Sequence, residues 1–314
     1  MRGNPSLVKG LVATFNNRLP FSPFLLHPAR VEPLSGEEIR RAVLPALTED
    51  IGSGDVTTLA VVPEAGRARA VARAREPLVV AGLALAEAAF RQLSPAIEVT
   101  PLTEDAQPVA ESKPLLEVAG PARALLSAER VALNFLQRLC GIATLTAQFV
   151  DAVKGTRAQI LDTRKTTPGW RRLEKYAVTC GGGENHRLGL FDMILIKDNH
   201  LAALRSESPN AIAAAVQRAR ARYPKLKVEV EADTLEQVEQ AAAAGADIVL
   251  LDNMNLVQLR LAVQKCKDRA LTEASGGVTL AGVRAIAETG VDFISVGALT
   301  HSARAVDLGL DFER

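Results

Sequence analysis

The feature that most constrains the fold is an alternation of short apolar runs with alanine-rich amphipathic stretches, which begins after Gly155. The runs have the length of strands, and the stretches between them have helical spacing. Residues 245–251 and 290–296 match in type, since each passes from a glycine turn into an apolar run. Apolar strands that alternate with helices are typical of a parallel sheet covered on both faces. The predicted strands are 159–162, 193–197, 227–231, 248–252, 271–275 and 293–297.

A sheet built from such units predicts an α/β fold with a closed or incomplete barrel, and an open doubly wound sheet is the alternative. The sequence before Gly155 has a different pattern, so we expect a second domain there. The chain of 314 residues is also about twice the length of a typical domain. The predicted elements of this first part are a helix at 35–47, a strand at 67–75, a helix at 83–93 and a long proline-free helical stretch at 122–150.

Two details of these helices are visible in the sequence. Ser35 and Glu38 have the spacing of a capping box, which predicts that the first helix begins there. The stretch at 122–150 carries leucines at helical spacing, and it predicts either one long helix or two abutting helices broken near Gly141.

Composition excludes some classes of protein. Lys+Arg is 37 and Asp+Glu is 36, a net charge of +1, and aromatic residues are 4%. A nucleic-acid-binding protein would need a basic surface, so we predict no nucleic acid partner. No apolar run approaches the length of a membrane span, and we predict no membrane partner. Cys140, Cys180 and Cys266 lie far apart without a CxxC motif, which indicates buried reduced thiols and a cytoplasmic location.

Polar residues follow every predicted strand of the second part. In α/β barrels the carboxyl ends of the strands converge on one active site. We therefore predict that these residues share a site. They are Asp162 to Lys165, Lys197 to His200, Glu231, Asp252 and Asn253, Ser275 to Gly277, and Gly297.

The residue types at these strand ends predict what the site binds. Arg164, Lys165, His186, Arg187 and Lys197 supply enough cationic donors for more than one anionic group. Glu231 and Asp252 are hard oxygen ligands suited to Mg²⁺ that also bridges to phosphate. The glycines at 276–277 and 297 each join a strand to a helix, where backbone N–H groups cradle a phosphate. The inferred ligands are a phosphorylated sugar with a diphosphate and Mg²⁺, beside a small polycarboxylate.

The loop between the first two barrel strands contains a triple glycine at 181–183 and a polar cluster, and we interpret it as a loop over the site. Trp170 is interpreted as packing this loop. His27 and His301 have no partner that the sequence reveals, and we assign both to structural or solvent-facing positions.

From about Ser35 the sequence resembles the quinolinate phosphoribosyltransferases, also called carboxylating nicotinate-nucleotide pyrophosphorylases. The motifs that carry the resemblance are 49–58, 129–134, 163–169, 185–187, 197–200, 229–231, 251–253 and 275–277. The loop at 275–277 has Ser-Gly-Gly where many bacterial members have Ser-Gly-Asn, which we expect to be tolerated because backbone N–H groups bind the phosphate.

The resemblance implies an N-terminal α/β sandwich domain followed by an incomplete α/β barrel. The implied domains are the sandwich at 35–132 with 301–314 and the barrel at 133–300. Residues 1–34 lie outside the resemblance, and their basic but proline-interrupted sequence favours a loose N-terminal extension over a targeting signal. It also implies a reaction of quinolinate with phosphoribosyl pyrophosphate that gives nicotinate mononucleotide, CO₂ and diphosphate in de novo NAD synthesis.

Site roles follow from the same resemblance. Lys165, Lys197, Glu231 and Asp252 are the implied catalytic residues, and the last two hold Mg²⁺, largely through substrate or water. Arg130 is implied to reach into a neighbouring subunit's site, which requires a homodimer or a higher oligomer such as a hexamer. The implied substrate-binding residues are Arg130, Thr163, Arg164, Lys165, His186, Arg187, Lys197, Glu231, Asp252, Ser275, Gly276, Gly277, Ser295, Val296 and Gly297.

Three alternatives remain open at this stage. The nearest is a paralogue of the same fold, of the kind found in molybdenum operons, that acts on another substrate. A Schiff-base aldolase would use Lys165 or Lys197 as its nucleophile, but that chemistry needs a desolvated lysine rather than one among arginines. A non-catalytic RNA-binding protein is disfavoured by the neutral charge.

Overall fold

The structure is a computed structural model that describes residues 32–313. The predictions for the N-terminal extension up to residue 31, including His27, lie outside these residues. The elements of the first part are α1 (Gly36–Ile51), α2 (Val56–Val61), β1 (Arg67–Ala74), β2 (Leu78–Val79), α3 (Leu83–Leu93), β3 (Glu98–Pro101), β4 (Pro108–Val109), β5 (Pro114–Pro121) and α4 (Ala122–Ala152).

The second part alternates strands and helices, except that two helices follow its second strand. Its elements are β6 (Gln159–Leu161), α5 (Arg171–Cys180), β7 (Ile194–Ile196), α6 (Asp198–Ala202), α7 (Ala211–Arg222), β8 (Val228–Ala232), α8 (Leu235–Ala243), β9 (Ile248–Asp252), α9 (Leu256–Cys266), β10 (Leu271–Ser275), α10 (Val283–Ala287), β11 (Phe293–Ser295), α11 (Ala298–His301) and β12 (Leu308–Phe312).

Helix α1 begins with the predicted capping box. The Ser35 side chain accepts from the Glu38 N–H at 3.3 Å, and Glu38 Oε2 accepts from the Ser35 N–H at 2.7 Å. The predicted end at residue 47 was too early. The helix runs on to Ile51, and the Gly52 N–H bonds to the Thr48 carbonyl at its end.

Helix α4 is a single helix of 31 residues without a break. Gly141 lies inside this helix and does not break it, so the alternative of two abutting helices is wrong. A Cβ atom at this position would lie 2.0 Å from the Arg304 carbonyl oxygen. Glycine therefore allows the segment before β12 to cross α4 at backbone distance.

The first sheet has the order β12-β1-β5-β3 and all its pairings are antiparallel. Helices α1, α3 and α4 pack together beside it, and they bury an apolar core that includes Phe90 and Leu116. This arrangement is an α/β sandwich. Its edge strand β12 comes from beyond the barrel in the sequence, and the predicted domain boundary between residues 132 and 133 falls inside α4.

The second sheet has six parallel strands in the order β6-β11-β10-β9-β8-β7. Strands that follow each other from β7 to β11 are neighbours, and β11 pairs with β6. This sequential order is that of a barrel and not of an open doubly wound sheet. The ring is incomplete between β6 and β7, where an isolated parallel bridge joins Leu161 and Glu184.

The barrel strands lie where the apolar runs predicted them. Strands β9 and β10 have the predicted bounds, and the ends of the other four differ by one or two residues. Asp162 and Lys197, which the prediction included in strands, lie just beyond the pairing. Within residues 32–313 no helix is long and apolar enough to cross a membrane. Cys140, Cys180 and Cys266 are buried and free.

Candidate active site

A cavity of about 790 Å³ opens at the carboxyl ends of the barrel strands. It brings together most of the residues that the sequence singled out, although these come from loops spread over more than 130 residues of chain. The predicted substrate-binding residues that line it are Thr163, Arg164, Lys165, His186, Arg187, Lys197, Glu231, Asp252, Ser275, Gly276, Gly277, Ser295 and Gly297.

Two of the predicted substrate-binding residues do not line this cavity, and neither do the strand-end residues Asp162 and 198–200, which were also predicted to share the site. Arg130 lies on the exposed side of α4. Val296 is 1% exposed, and its N–H donates to the Leu161 carbonyl at 2.9 Å. Because this bond ties β11 to β6, neither the side chain nor the N–H of Val296 is available to a phosphate.

Several cavity residues were missed by sequence reasoning. Thr279 lines it, and so does His301, for which the sequence predicted a structural or solvent-facing position, whereas Asn253, which also lines it, was among the predicted strand-end residues. Glu273 also lines it, and the signal for this residue was a lone acid inside an apolar strand. Trp170 packs as expected, with its ring stacked on Phe135 of α4 at 5.1 Å between centroids.

The cationic side chains of the cavity come from the chain between β6 and α6. Arg164 Nε is buried and has no hydrogen-bond partner. The guanidinium of Arg187 donates to the Met193 carbonyl at 3.2 Å, and burial, followed by the charge of Arg164, lowers its pKa. A buried donor without an acceptor is unfavourable unless a ligand supplies one. The pair therefore favours a bound anion.

His186, Glu229 and Glu273 form a cluster beneath these cations. His186 Nε2 lies 3.0 Å from Glu229 Oε2 and 3.5 Å from Glu273 Oε2. The contacts are poorly aligned, and none of the four carboxylate oxygens has a hydrogen-bond partner. Burial raises the pKa of Glu229 to about 7, and burial together with the charge of Glu229 raises that of Glu273 to about 8. At neutral pH the two carboxyl groups therefore retain a proton between them.

The protonation of His186 follows from its neighbours. Its Nδ1 accepts the Arg187 N–H at 2.8 Å, so in the neutral ring Nε2 carries the hydrogen. Burial lowers the His186 pKa, which favours that neutral form. The three side chains have metal-ligand types and distances. However, a metal ion on Nε2 would force a hydrogen onto Nδ1, opposite the Arg187 N–H. The ring therefore suits a hydrogen-bonded role better than a metal site.

A carboxylate pair suited to Mg²⁺ lies at the ends of β8 and β9. Glu231 and Asp252 both line the cavity, and their strands are paired. Glu231 forms an ion pair with Lys197, and Asp252 accepts from the Asn253 amide at 2.7 Å. Mg²⁺ usually binds through one or two carboxylates together with substrate phosphates. Two carboxylates beside a cationic cavity fit that mode of binding.

The two glycine-containing loops differ from each other. Gly297 directly precedes α11, as expected for a strand-to-helix phosphate loop. After Ser275–Gly277 the next helix begins only at Val283, so loop backbone rather than a helix end faces the cavity there. Gly276 has a φ of +94°, and a Cβ atom on it would lie 2.2 Å from Asn253 Oδ1.

The fold and the site define a class of protein. An incomplete α/β barrel that places arginines, lysines, two carboxylates and two glycine loops around one mouth is an enzyme for polyanionic, phosphorylated substrates. Comparisons with known proteins are more specific. Residues 55–140 match the family model "Quinolinate phosphoribosyl transferase, N-terminal domain", and residues 142–311 match the corresponding C-terminal domain.

Individual relatives agree with these matches. The chain is 45% identical over 278 residues to a nicotinate-nucleotide pyrophosphorylase [carboxylating] of Mycobacterium leprae, which covers 87% of this chain and 96% of that protein. It is 43% identical over 265 residues to a probable enzyme of the same name in Bacillus subtilis, covering 84% of this chain and 89% of the relative. The solved nicotinate-nucleotide pyrophosphorylase of Francisella tularensis superposes with a TM-score of 0.85 at 40% identity, covering 90% and 99% of the two chains. The chain belongs to the quinolinate phosphoribosyltransferase family.

Proposed function

We propose that this chain is a decarboxylating phosphoribosyltransferase of NAD biosynthesis, which converts quinolinate and phosphoribosyl pyrophosphate to nicotinate mononucleotide, CO₂ and diphosphate. The observation that carries the proposal is the buried, partnerless Nε of Arg164 in a cavity that also holds Lys165, Arg187 and Lys197. These donors match a pyridine dicarboxylate and a diphosphate bound side by side.

The first step forms a bond from the pyridine nitrogen to the anomeric carbon and breaks the bond from that carbon to the diphosphate oxygen. The transition state resembles an oxocarbenium ion, so positive charge develops on the ribose while diphosphate departs. We infer that Lys165 and Lys197 neutralise the leaving diphosphate and that Glu231 and Asp252 face the ribose. When bound at these carboxylates, Mg²⁺ would supply further charge neutralisation to the phosphate oxygens.

The second step breaks the bond between C2 and its carboxylate. The ribosylated pyridine nitrogen is cationic and stabilises the electron pair left on C2 when CO₂ departs, after which C2 takes up a proton. This chemistry needs no separate general base. The protein must hold the ring while one carboxylate leaves a cationic pocket, and a loosely held 2-carboxylate beside a firmly held 3-carboxylate would lower that cost.

His186 has a narrower role than direct binding of a carboxylate. Both of its ring nitrogens face protein groups, Nδ1 the Arg187 N–H and Nε2 the two buried glutamates. We propose that the ring supports the adjacent Arg187, which then binds the substrate.

The proposal includes a homodimer or a higher oligomer. Arg130 does not line the cavity of its own subunit, and its exposed position on α4 supports a role in a partner's site. Near it, α2 exposes Val56 (76%) and Val61 (72%), which a partner would cover. A cytoplasmic location is part of the same proposal and is supported by the three free thiols.

The test is release of CO₂ from carboxyl-labelled quinolinate, with and without phosphoribosyl pyrophosphate, at millimolar Mg²⁺. Release that needs both the cosubstrate and the metal ion supports the reaction, the substrates and the metal together. Arg218→Ala should release CO₂ like the wild-type protein, because Arg218 is an exposed arginine that pairs with Glu207 and does not line the cavity. If folded protein releases no CO₂, the substrate is a different heteroaromatic acid, as expected for the paralogue.

A further inference from the structure

Two adjacent side chains of α5 carry opposite charges and are buried behind the cavity. Glu174 is 0% exposed and Lys175 is 1% exposed. Neither lines the cavity, and the proposed mechanism uses neither. Buried charges are retained only where partners compensate them, so their partners indicate what they do.

Glu174 holds the loop that carries Arg164 and Lys165. Its Oε2 accepts the Thr167 N–H at 3.0 Å, and its Oε1 accepts the Thr167 hydroxyl at 2.8 Å. Thr167 follows Lys165 by two residues, so these bonds fix the loop directly after its cationic pair.

The counter-charge of Glu174 is Arg138 of α4, at 2.7 Å. The same guanidinium donates to the carbonyls of Ala303 and Thr300. The Thr300 hydroxyl in turn donates to the Lys165 carbonyl at 2.7 Å. The loop is therefore held at Lys165 and at Thr167 by groups that meet at one ion pair between the buried Glu174 and the half-buried Arg138.

Lys175 holds the second cationic segment, which carries His186 and Arg187. Its Nζ donates to the His186 carbonyl at 2.9 Å and forms a buried ion pair with Asp162. Asp162 Oδ1 accepts the His186 N–H at 2.9 Å. The Asn185 amide nitrogen, in the orientation that satisfies it, donates to Asp162 Oδ2 at 2.7 Å.

We propose that Glu174 and Lys175 are positioning residues for the substrate site, each of which fixes one of the two cation-bearing segments. Glu174 positions Arg164 and Lys165, and Lys175 positions His186 and Arg187. The proposal rests on the proposed function, since positioning matters through those cations. A displacement of about 1 Å in a group that orients substrate costs up to roughly 100-fold in rate.

The test uses the full chain with Glu174→Gln and Lys175→Met. A glutamine has one acceptor oxygen, so its NH₂ group would face either the Thr167 N–H or the Arg138 donor, and in both orientations the ion pair is lost. Hydrogen exchange is followed by mass spectrometry in peptides covering residues 163–170 and 184–188. We expect Glu174→Gln to accelerate exchange mainly in 163–170 and Lys175→Met mainly in 184–188. Each should raise KM for quinolinate or its cosubstrate by roughly 10- to 100-fold.

Asp292→Asn is the matched control. Asp292 accepts the Thr272 N–H at 2.9 Å and the Thr272 hydroxyl at 2.8 Å, beside the amino ends of β10 and β11 and away from the cavity. Its substitution should lower thermal stability but leave exchange in both segments and KM unchanged. This separates positioning from a general loss of stability.

Lys175→Met leaves Asp162 without its cation and could prevent folding. Asp162→Asn/Lys175→Met removes both charges and keeps an acceptor for the His186 N–H, so it serves as the second variant. Arg138→Met/Glu174→Gln does the same for the other pair. Folded variants with wild-type KM, or with exchange raised equally in both segments, would overturn the proposal. If the wild-type protein does not turn over quinolinate, the exchange pattern still tests the positioning separately.

Discussion

Arg164 shows how one side chain can indicate a ligand. An arginine Nε that is buried without an acceptor is rare, because leaving a buried donor unpaired costs about 1–3 kcal/mol. The neighbouring Arg187, also cationic, adds a repulsion that an anion would relieve. In the ligand-free protein the unpaired Nε of Arg164 and its repulsion from Arg187 are both unfavourable. A bound dianion would offset both of these costs.

Arg164→Ala and Lys197→Ala should distinguish the two carboxylates of quinolinate. Nicotinate carries only the 3-carboxylate, whereas quinolinate carries both. If the two side chains contact different carboxylates, the variant that loses the 3-carboxylate contact should bind both ligands more weakly. The other variant should bind only quinolinate more weakly. Each lost charged hydrogen bond should cost roughly 10- to 100-fold in affinity. The measurement is Kd for both ligands by calorimetry, with Arg218→Ala as control. Equal losses for both ligands in both variants would contradict the assignment of separate carboxylates.

The Glu229–Glu273 pair predicts a pH dependence of stability. The Glu273 pKa of about 8 lies above its ordinary value of 4.5. The folded protein therefore holds a proton that the unfolded chain releases, and the free energy of unfolding falls as the pH rises between these values. Glu273→Gln cannot ionise and should escape that loss.

At each pH we take the difference in Tm between Glu273→Gln and the wild-type protein. We expect this difference to be larger at pH 8 than at pH 5 by about 2 °C or more. Scanning calorimetry at the two pH values measures it. Glu288→Gln, in an exposed pair with Arg284, is the control and should show no such change. An equal Tm difference at both pH values would show that Glu273 is already ionised in the folded state.

The strand-end residues were predictable because a barrel brings all carboxyl ends of its strands to one mouth, so sequence position alone placed Lys197, Glu231 and Asp252 there. The contacts of His186 were not, because they depend on how the barrel interior packs. For Glu273, its position within an apolar strand indicates an unusual environment, but the sequence does not predict which side chains it contacts.

At the scale of elements, the loop after β10 depends on a close approach between Gly276 and Asn253. Gly276→Ala would place a Cβ atom 2.2 Å from Asn253 Oδ1 at a φ of +94°, so the loop must move. We expect KM for phosphoribosyl pyrophosphate to rise about tenfold or more. Gly245→Ala is the control, since Gly245 has a similar φ of +81° and nothing within 4 Å of its Cβ position. It should lose about 1–2 kcal/mol of stability at unchanged KM.

Elements were predicted well where local signals dominate. The bounds of α3, β9 and β10 agree with those predicted from the hydrophobic periodicity. For the two strands the reason is that a short apolar run between helices is typical of a buried parallel strand. The continuity of α4 through Gly141 was left open, since only the crossing at Arg304 explains why glycine is there. The glycines at 276–277 predicted a helix directly after the strand, but α10 begins only at Val283, which the sequence did not indicate.

At the scale of the whole molecule, the proposed sharing of sites predicts complementation between subunits. Arg130→Ala and Lys197→Ala should each be nearly inactive. In a mixed dimer, one site would combine an intact Lys197 with an intact Arg130 from the partner, and the other site would lack both. A mixed dimer purified through two different tags should therefore regain about half of the wild-type activity. Activity that stays at the level of the parents would show that Arg130 does not act across subunits.

The pairing of β12 with β1 has a consequence for how the protein is made. Translation delivers α1 through β5 first, but the edge strand of their sheet follows only after the whole barrel. The first domain therefore keeps an open edge on β1 until the barrel has been synthesised and β12 can pair with it. A gene fragment that ends before β12 should give a first domain with an exposed, aggregation-prone edge.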